Sequence, residues 1–105
     1  MNKWNVALTE DAQNDIRDIY NYIAKTLSAP EAAKSHVKRI FDTVHSLETM
    51  PFRYSLYDKE PWRTRGLRSV TVNHYIVFYI PVEEKNEVVI FHVFYGGRDI
   101  QKLFC

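Results

Sequence analysis

At 105 residues the chain has room for one small core, with about two-thirds of its unfolded surface buried on folding. A formal net charge of +1 argues against a general nucleic-acid-binding domain, which usually carries a clear basic excess. The single cysteine, Cys105, excludes an intrachain disulfide and a cysteine-based metal site, and a free thiol suits a reducing cytoplasm. Met1–Asn5 has no apolar stretch of the signal-peptide kind, and no apolar run approaches the roughly 20 residues of a membrane span. These features predict a single cytoplasmic domain over 1–105, with no metal or cofactor.

Lys3 to Leu8 alternates, with Trp4, Val6 and Leu8 on one side, and reads as a strand with one buried face. Thr9 is placed to cap a helix whose first turn carries Glu10 and Asp11, where carboxylates meet the positive end of the helix dipole. Ala12, Ile16, Ile19, Tyr20, Ile23 and Leu27 then recur at helical spacing, predicting an amphipathic helix over 10–27. Pro30, tolerated only in a first turn, starts a second helix with Ala33, Val37, Ile40, Phe41, Val44 and Leu47 as its apolar set. Met50-Pro51 ends it. The short connection makes the two helices an antiparallel hairpin.

Residues 52–65 lack periodicity and read as an aromatic loop with Tyr54, Tyr57, Pro61 and Trp62. Arg63, Arg65 and Arg68 cluster where the chain re-enters regular structure. Leu67–Val72 is the next strand. A long hairpin follows, Tyr75–Ile80 and Val88–Phe94, turning at Glu83–Asn86. Its strands are apolar at successive positions, as in a strand covered on both faces, so they belong in the middle of a sheet. The predicted fold is α+β: an N-terminal strand, an antiparallel helix hairpin, then a three-stranded antiparallel meander, with the helices on one face. No further element remains to cover the other face, which makes it a candidate interaction surface.

Several strings resemble the RelE/ParE superfamily of bacterial toxins: Gly66-Leu67-Arg68, Asn73-His74-Tyr75-Ile76-Val77-Phe78-Tyr79 and Val93-Phe94-Tyr95-Gly96-Gly97-Arg98-Asp99, preceded by Met50-Pro51-Phe52-Arg53-Tyr54. The resemblance runs through essentially the whole chain. It implies the toxin of a type II toxin–antitoxin, or plasmid-stabilisation, module, neutralised by a cognate antitoxin protein. Its ParE-like branch inhibits DNA gyrase. Its RelE-like and YoeB-like branches are ribosome-dependent mRNA endonucleases, which cleave by attack of a 2′-hydroxyl. A third possibility is a catalytically inert module that binds only its antitoxin.

The resemblance places Arg98 on a phosphate-stabilising arginine and Arg68 in a basic, substrate-activating strand position. A guanidinium suits both roles because it is always charged and binds phosphate through two parallel hydrogen bonds. If the chain is a nuclease, Arg98, Arg68 and Tyr95 are the catalytic candidates. Arg63, Arg65, Arg68, Arg98 and Phe104 are the candidates for contact with an anion or target. Tyr75 and Phe104 stand where the RelE pattern has a catalytic arginine and a proton-transferring tyrosine. That set is therefore incomplete, and the ParE-like reading is the one adopted. His92 reads as a hydrogen-bonded histidine of the core or rim, His74 as a solvated turn residue, and Trp62 as packing over the core edge. Tyr20, Phe41, Phe78 and Phe91 read as core.

Overall fold

The computed structural model of the chain describes residues 3–96. Strand β1 spans Asn5–Leu8, helix α1 Glu10–Asn21 and helix α2 Pro30–Ser46, followed by β2 (Arg68–Val72), β3 (Tyr75–Val82) and β4 (Glu87–Tyr95). The strands form one sheet in the order β1-β4-β3-β2. β2, β3 and β4 make the antiparallel meander, and β1 adds to β4 in parallel. The α+β expectation holds, with the long hairpin in the centre of the sheet. A parallel neighbour needs a long crossover, and here everything between β1 and β4 supplies it.

Each boundary has a local cause. Thr9 N–H continues the β1 ladder onto the carbonyl of Ile90. Its side chain then accepts from the N–H of Ala12 at 3.1 Å and donates to the carbonyl of Phe91 at 3.1 Å. The same residue that caps α1 therefore ties the start of that helix to β4. Pro30 opens α2 as its first residue. Asn73 (φ 54°) and Asn86 (φ 51°) take the left-handed positions of the two hairpin turns, a conformation asparagine tolerates well.

The helix pair departs from the sequence reading at its tip. α1 stops at Asn21, and Tyr22–Thr26 forms a single π-helical turn before the chain reverses at Ser28 (φ 53°). The wider turn shifts the phase of the apolar stripe, so Ile23 remains buried while Leu27, expected inside, is 55% exposed. Phe41 is likewise exposed instead of buried, one step around the helix from the fully buried Ile40.

One face of the sheet carries the main core: Ala12 and Ile16 of α1 and Ile40, Val44 and Leu47 against Val70, Val72, Tyr75, Val77, Tyr79, Val88, Ile90 and Val93. Val6 and Leu8 of β1 and Trp4 just before it pack onto this core, as the alternation predicts. The opposite face is not left open. Residues 55–57 run back along the start of β2, with Tyr57 N–H on the carbonyl of Leu67 and Ser69 N–H on the carbonyl of Ser55. This brings Tyr57 and Trp62 onto a second cluster of Leu67, Phe78 and Phe94. The expectation of an uncovered apolar face is corrected: the aromatic loop is its cover, because its rings supply the area that a missing helix would otherwise bury. Trp62 packs there, as expected, and so does Phe91, although only partly buried.

β4 carries one extra residue. Phe78 faces His92 and Tyr79 faces Ile90, so Phe91 is a bulge. Val88 and Ile90 point to the helices before it, and Val93 does so after it.

Candidate functional site

The three clustered arginines separate once folded. Arg68 opens β2 on the helix side, opposite Tyr79. Its guanidinium lies 5.1 Å from the centre of the Phe52 ring, and one amino group donates to the carbonyls of Phe52 and Tyr54. Arg68 thus fastens the 3₁₀ turn Pro51–Arg53 to the sheet. Arg65 stands over the Trp62 ring at 5.4 Å, on the opposite face. Arg63 is exposed in the same loop. Glu60 ties that loop together by accepting from the Thr64 hydroxyl and N–H at 2.8 Å. Those bonds, with a contribution from Arg63, hold its carboxyl below the usual range. The basic cluster expected from the sequence is therefore divided across the sheet by the alternation of Leu67 and Arg68.

Tyr95 lies at the other end of the strands. It pairs with Tyr75, which pairs with Val72, whereas Arg68 begins the far end of β2. That offset is about 14 Å at the strand rise. Arg68 and Tyr95 lie toward opposite ends of the sheet. Arg98 and Phe104 lie outside the described residues.

Tyr75 and His74 gather around Tyr95, and with them His36, which carries no signal in the sequence. Tyr95 is 51% exposed, and its ring stands edge-on to Tyr75 at 6.2 Å and tilted to His74 at 6.5 Å. The buried Tyr75 hydroxyl is 3.0 Å from Nδ1 of His36. Burial, and secondarily the neighbouring Tyr95, push the Tyr75 phenol above its ordinary range. These residues form one wall of an open groove of about 940 Å³. Ile19, Tyr22, Ile23, Leu27, Ala29 and Ala32 of the helix-hairpin tip form the other, and Asp15 and Asp18 lie along α1. The π turn puts Tyr22, 56% exposed, on this rim beside Leu27. The available sequence signal was the pair Tyr22 and Leu27, too many large apolar residues for a single stripe. The turn that exposes them carries no such mark.

Asp15 also explains His92. Its carboxylate oxygen accepts from the N–H of Val93 at 3.0 Å and lies 2.9 Å from Nδ1 of His92. β1 ends at Leu8 opposite Ile90, so the β4 edge beyond it has no strand partner, and α1 covers it with this side chain. His92 also stacks on Phe94 at 4.6 Å. It is a hydrogen-bonded rim histidine, as read from the sequence. Asp15→Ala is expected to cost about 2 kcal/mol, since it strands a buried N–H. Thermal melts should show a fall in Tm on the order of 10 °C. Asp15→Asn, which keeps one acceptor, should lose about half as much.

The fold of this chain has known counterparts. Among solved structures, it is similar to a chain of the chromosomal ParDE toxin–antitoxin system from P. aeruginosa, with 23% identity and a TM-score of 0.70 over 87% of this chain and 94% of that one. It is similar to a chain of the RelBE2 toxin–antitoxin complex from Mycobacterium tuberculosis, with 20% identity and a TM-score of 0.65 over 90% and 93%. The isolated E. coli RelE toxin aligns at 16% identity and a TM-score of 0.55 over 96% and 94%. At these identities the likeness is one of fold. No curated protein matches the chain. The family model of the ParE toxin of type II toxin–antitoxin systems, parDE, matches residues 6–100, and this chain belongs to that family.

Proposed function

We propose that this ParE-type toxin acts by binding DNA gyrase, and that a cognate antitoxin neutralises it by laying a segment into the groove beside Tyr95. The separation of Arg68 from Tyr95 carries the first part. Cleavage by a 2′-hydroxyl needs charge stabilisation and proton transfer at one place, whereas the Arg68 guanidinium is committed to the carbonyls of Phe52 and Tyr54. A binding inhibitor has no such requirement. Arg63 and Arg65, both exposed, present cations to the target. For the second part, the ParDE and RelBE2 relatives are described as toxin–antitoxin systems. The groove offers exposed Tyr22, Leu27 and Tyr95 to an apolar segment.

A ribosome-dependent nuclease is the second reading. One observation favours it: the His36–Tyr75 hydrogen bond beside Tyr95 gathers proton-carrying groups at the strand end from which the chain runs on to Arg98. Two assays decide. Purified toxin should inhibit gyrase supercoiling and leave message intact in a translation reaction followed by primer extension. The double variant Arg63→Ala, Arg65→Ala should inhibit more weakly, by more than the small fall in Tm from losing the Arg65–Trp62 contact accounts for. Cuts in the message that disappear in Arg98→Ala or Tyr95→Phe would overturn the gyrase reading.

A further inference from the structure

We propose that the groove recognises a cationic side chain, an arginine or lysine, of the antitoxin segment it receives, with Asp18, Tyr22 and Tyr95 as the residues that select it. This rests on the reading of the groove as the antitoxin's dock and adds the chemistry of the contact. The groove lining contains two carboxylates, Asp15 and Asp18, and no lysine or arginine. The Asp15 carboxylate already serves Val93 and His92. Asp18 is exposed and makes no ion pair among the described residues. The same groove is lined by Tyr22 and Tyr95, each more than half open to solvent, and by His36 and His74.

A groove that carries both a free carboxylate and exposed tyrosines is a setting for a guanidinium or ammonium group. The ring faces attract the charge, and the carboxylate pairs with it where the apolar walls thin the solvent. A wholly apolar segment would cover Asp18 without a counter-ion, which is costly. An acidic segment would meet like charge. Charge complementarity therefore selects a segment that is apolar along one face and basic where it passes Asp18.

The test uses the full chain and the separately purified product of the reading frame adjacent to the toxin's own, titrated by calorimetry. Asp18→Lys is expected to weaken binding about tenfold and to flatten its salt dependence. Tyr22→Ala is expected to weaken it about as much. Changing one basic residue of the antitoxin to glutamate should restore affinity to Asp18→Lys alone. Circular dichroism melts of each variant establish that it is folded. If Tyr22→Ala weakens binding and Asp18→Lys does not, the groove is the dock and the cationic contact is wrong. If neither variant changes the affinity by more than about twofold, the antitoxin binds elsewhere and both readings fail. A dimer of the toxin alone that Tyr22→Ala dissolves would assign the groove to a second copy. Loss of the Asp18 effect in Arg98→Gln, Lys102→Gln would assign the cation to the toxin itself. Either of these last results overturns the proposal.

Discussion

Arg68→Ala is expected to lower the unfolding free energy by about 2–3 kcal/mol, measured by urea denaturation, and to reduce toxicity only to the extent that folded protein is lost. The side chain donates charge-assisted hydrogen bonds to two carbonyls and covers the Phe52 ring. Its removal leaves the turn Pro51–Arg53 without a tie to β2 and uncovers a ring that is already 43% exposed. Arg68→Lys should recover less than half of the loss. An ammonium is a point donor with a strong hydration shell, and it cannot reproduce a planar fork that both donates and stacks. The opposite result would be equally informative. An Arg68→Ala protein that unfolds like the wild type but has lost toxicity would mean that this arginine serves the target, and it would reopen the nuclease reading.

The second large effect concerns the same corner of the molecule. Tyr79 is fully buried, and its hydroxyl donates to the carbonyl of Pro51 at 2.7 Å. Burial pushes its pKa up to about 12, against smaller opposing effects of Arg68 and Arg53. A free tyrosine in the unfolded chain ionises near 10. Below that value both states are protonated, and the hydrogen bond contributes in full. Between about pH 10 and 12 the unfolded chain releases its proton while the folded chain retains it. Stability therefore falls as pH rises through this window, by on the order of 2 kcal/mol. Tyr75, also raised by burial, adds a fall of the same sign. Tyr79→Phe is expected to cost about 1–2 kcal/mol at neutral pH, because the buried carbonyl of Pro51 loses its donor. It should also flatten the alkaline decline. A set of urea midpoints across that range would check both. If Tyr79→Phe shows the wild-type alkaline slope, another group titrates there. Since Arg68 lowers the phenol's pKa, the two substitutions should not be additive.

The elements themselves were legible in the chain. Alternation at Trp4, Val6 and Leu8, the Thr9 cap, Pro30 at a helix start and the asparagine turns each act within a few residues, and each appears where its local chemistry puts it. Parallel pairing of β1 with β4 could not be read in the same way, because it joins residues more than eighty positions apart. The site was less legible than the fold. Arg63, Arg65 and Arg68 are neighbours in sequence, yet strand alternation sends Arg68 to the helix side while the loop keeps Arg65 over Trp62. Conversely, His36 and Tyr75 are far apart in the chain and meet at one hydrogen bond. Histidine on the boundary of a helix gives no sign of such a partner. The groove depends on the π turn at Tyr22–Thr26, which a pattern of period 3.6 does not encode.

The bulge at Phe91 acts as a parity switch for the end of the sheet. Side chains along a strand are odd or even, and parity decides which world each one sees. Up to Ile90, the even residues of β4 face the helices; after Phe91, the odd ones do. Tyr95 stands on the groove wall beside Tyr75 because of that single change of count. If β4 ran through these same residues without a bulge, Phe94 would take the helix side and Tyr95 would join the loop-covered face. The groove wall is thus tied to an inserted backbone unit several positions away. A change that straightened β4 while keeping all of its residues would exchange the two faces of the last turn of strand and leave the hydrophobic composition of the strand untouched.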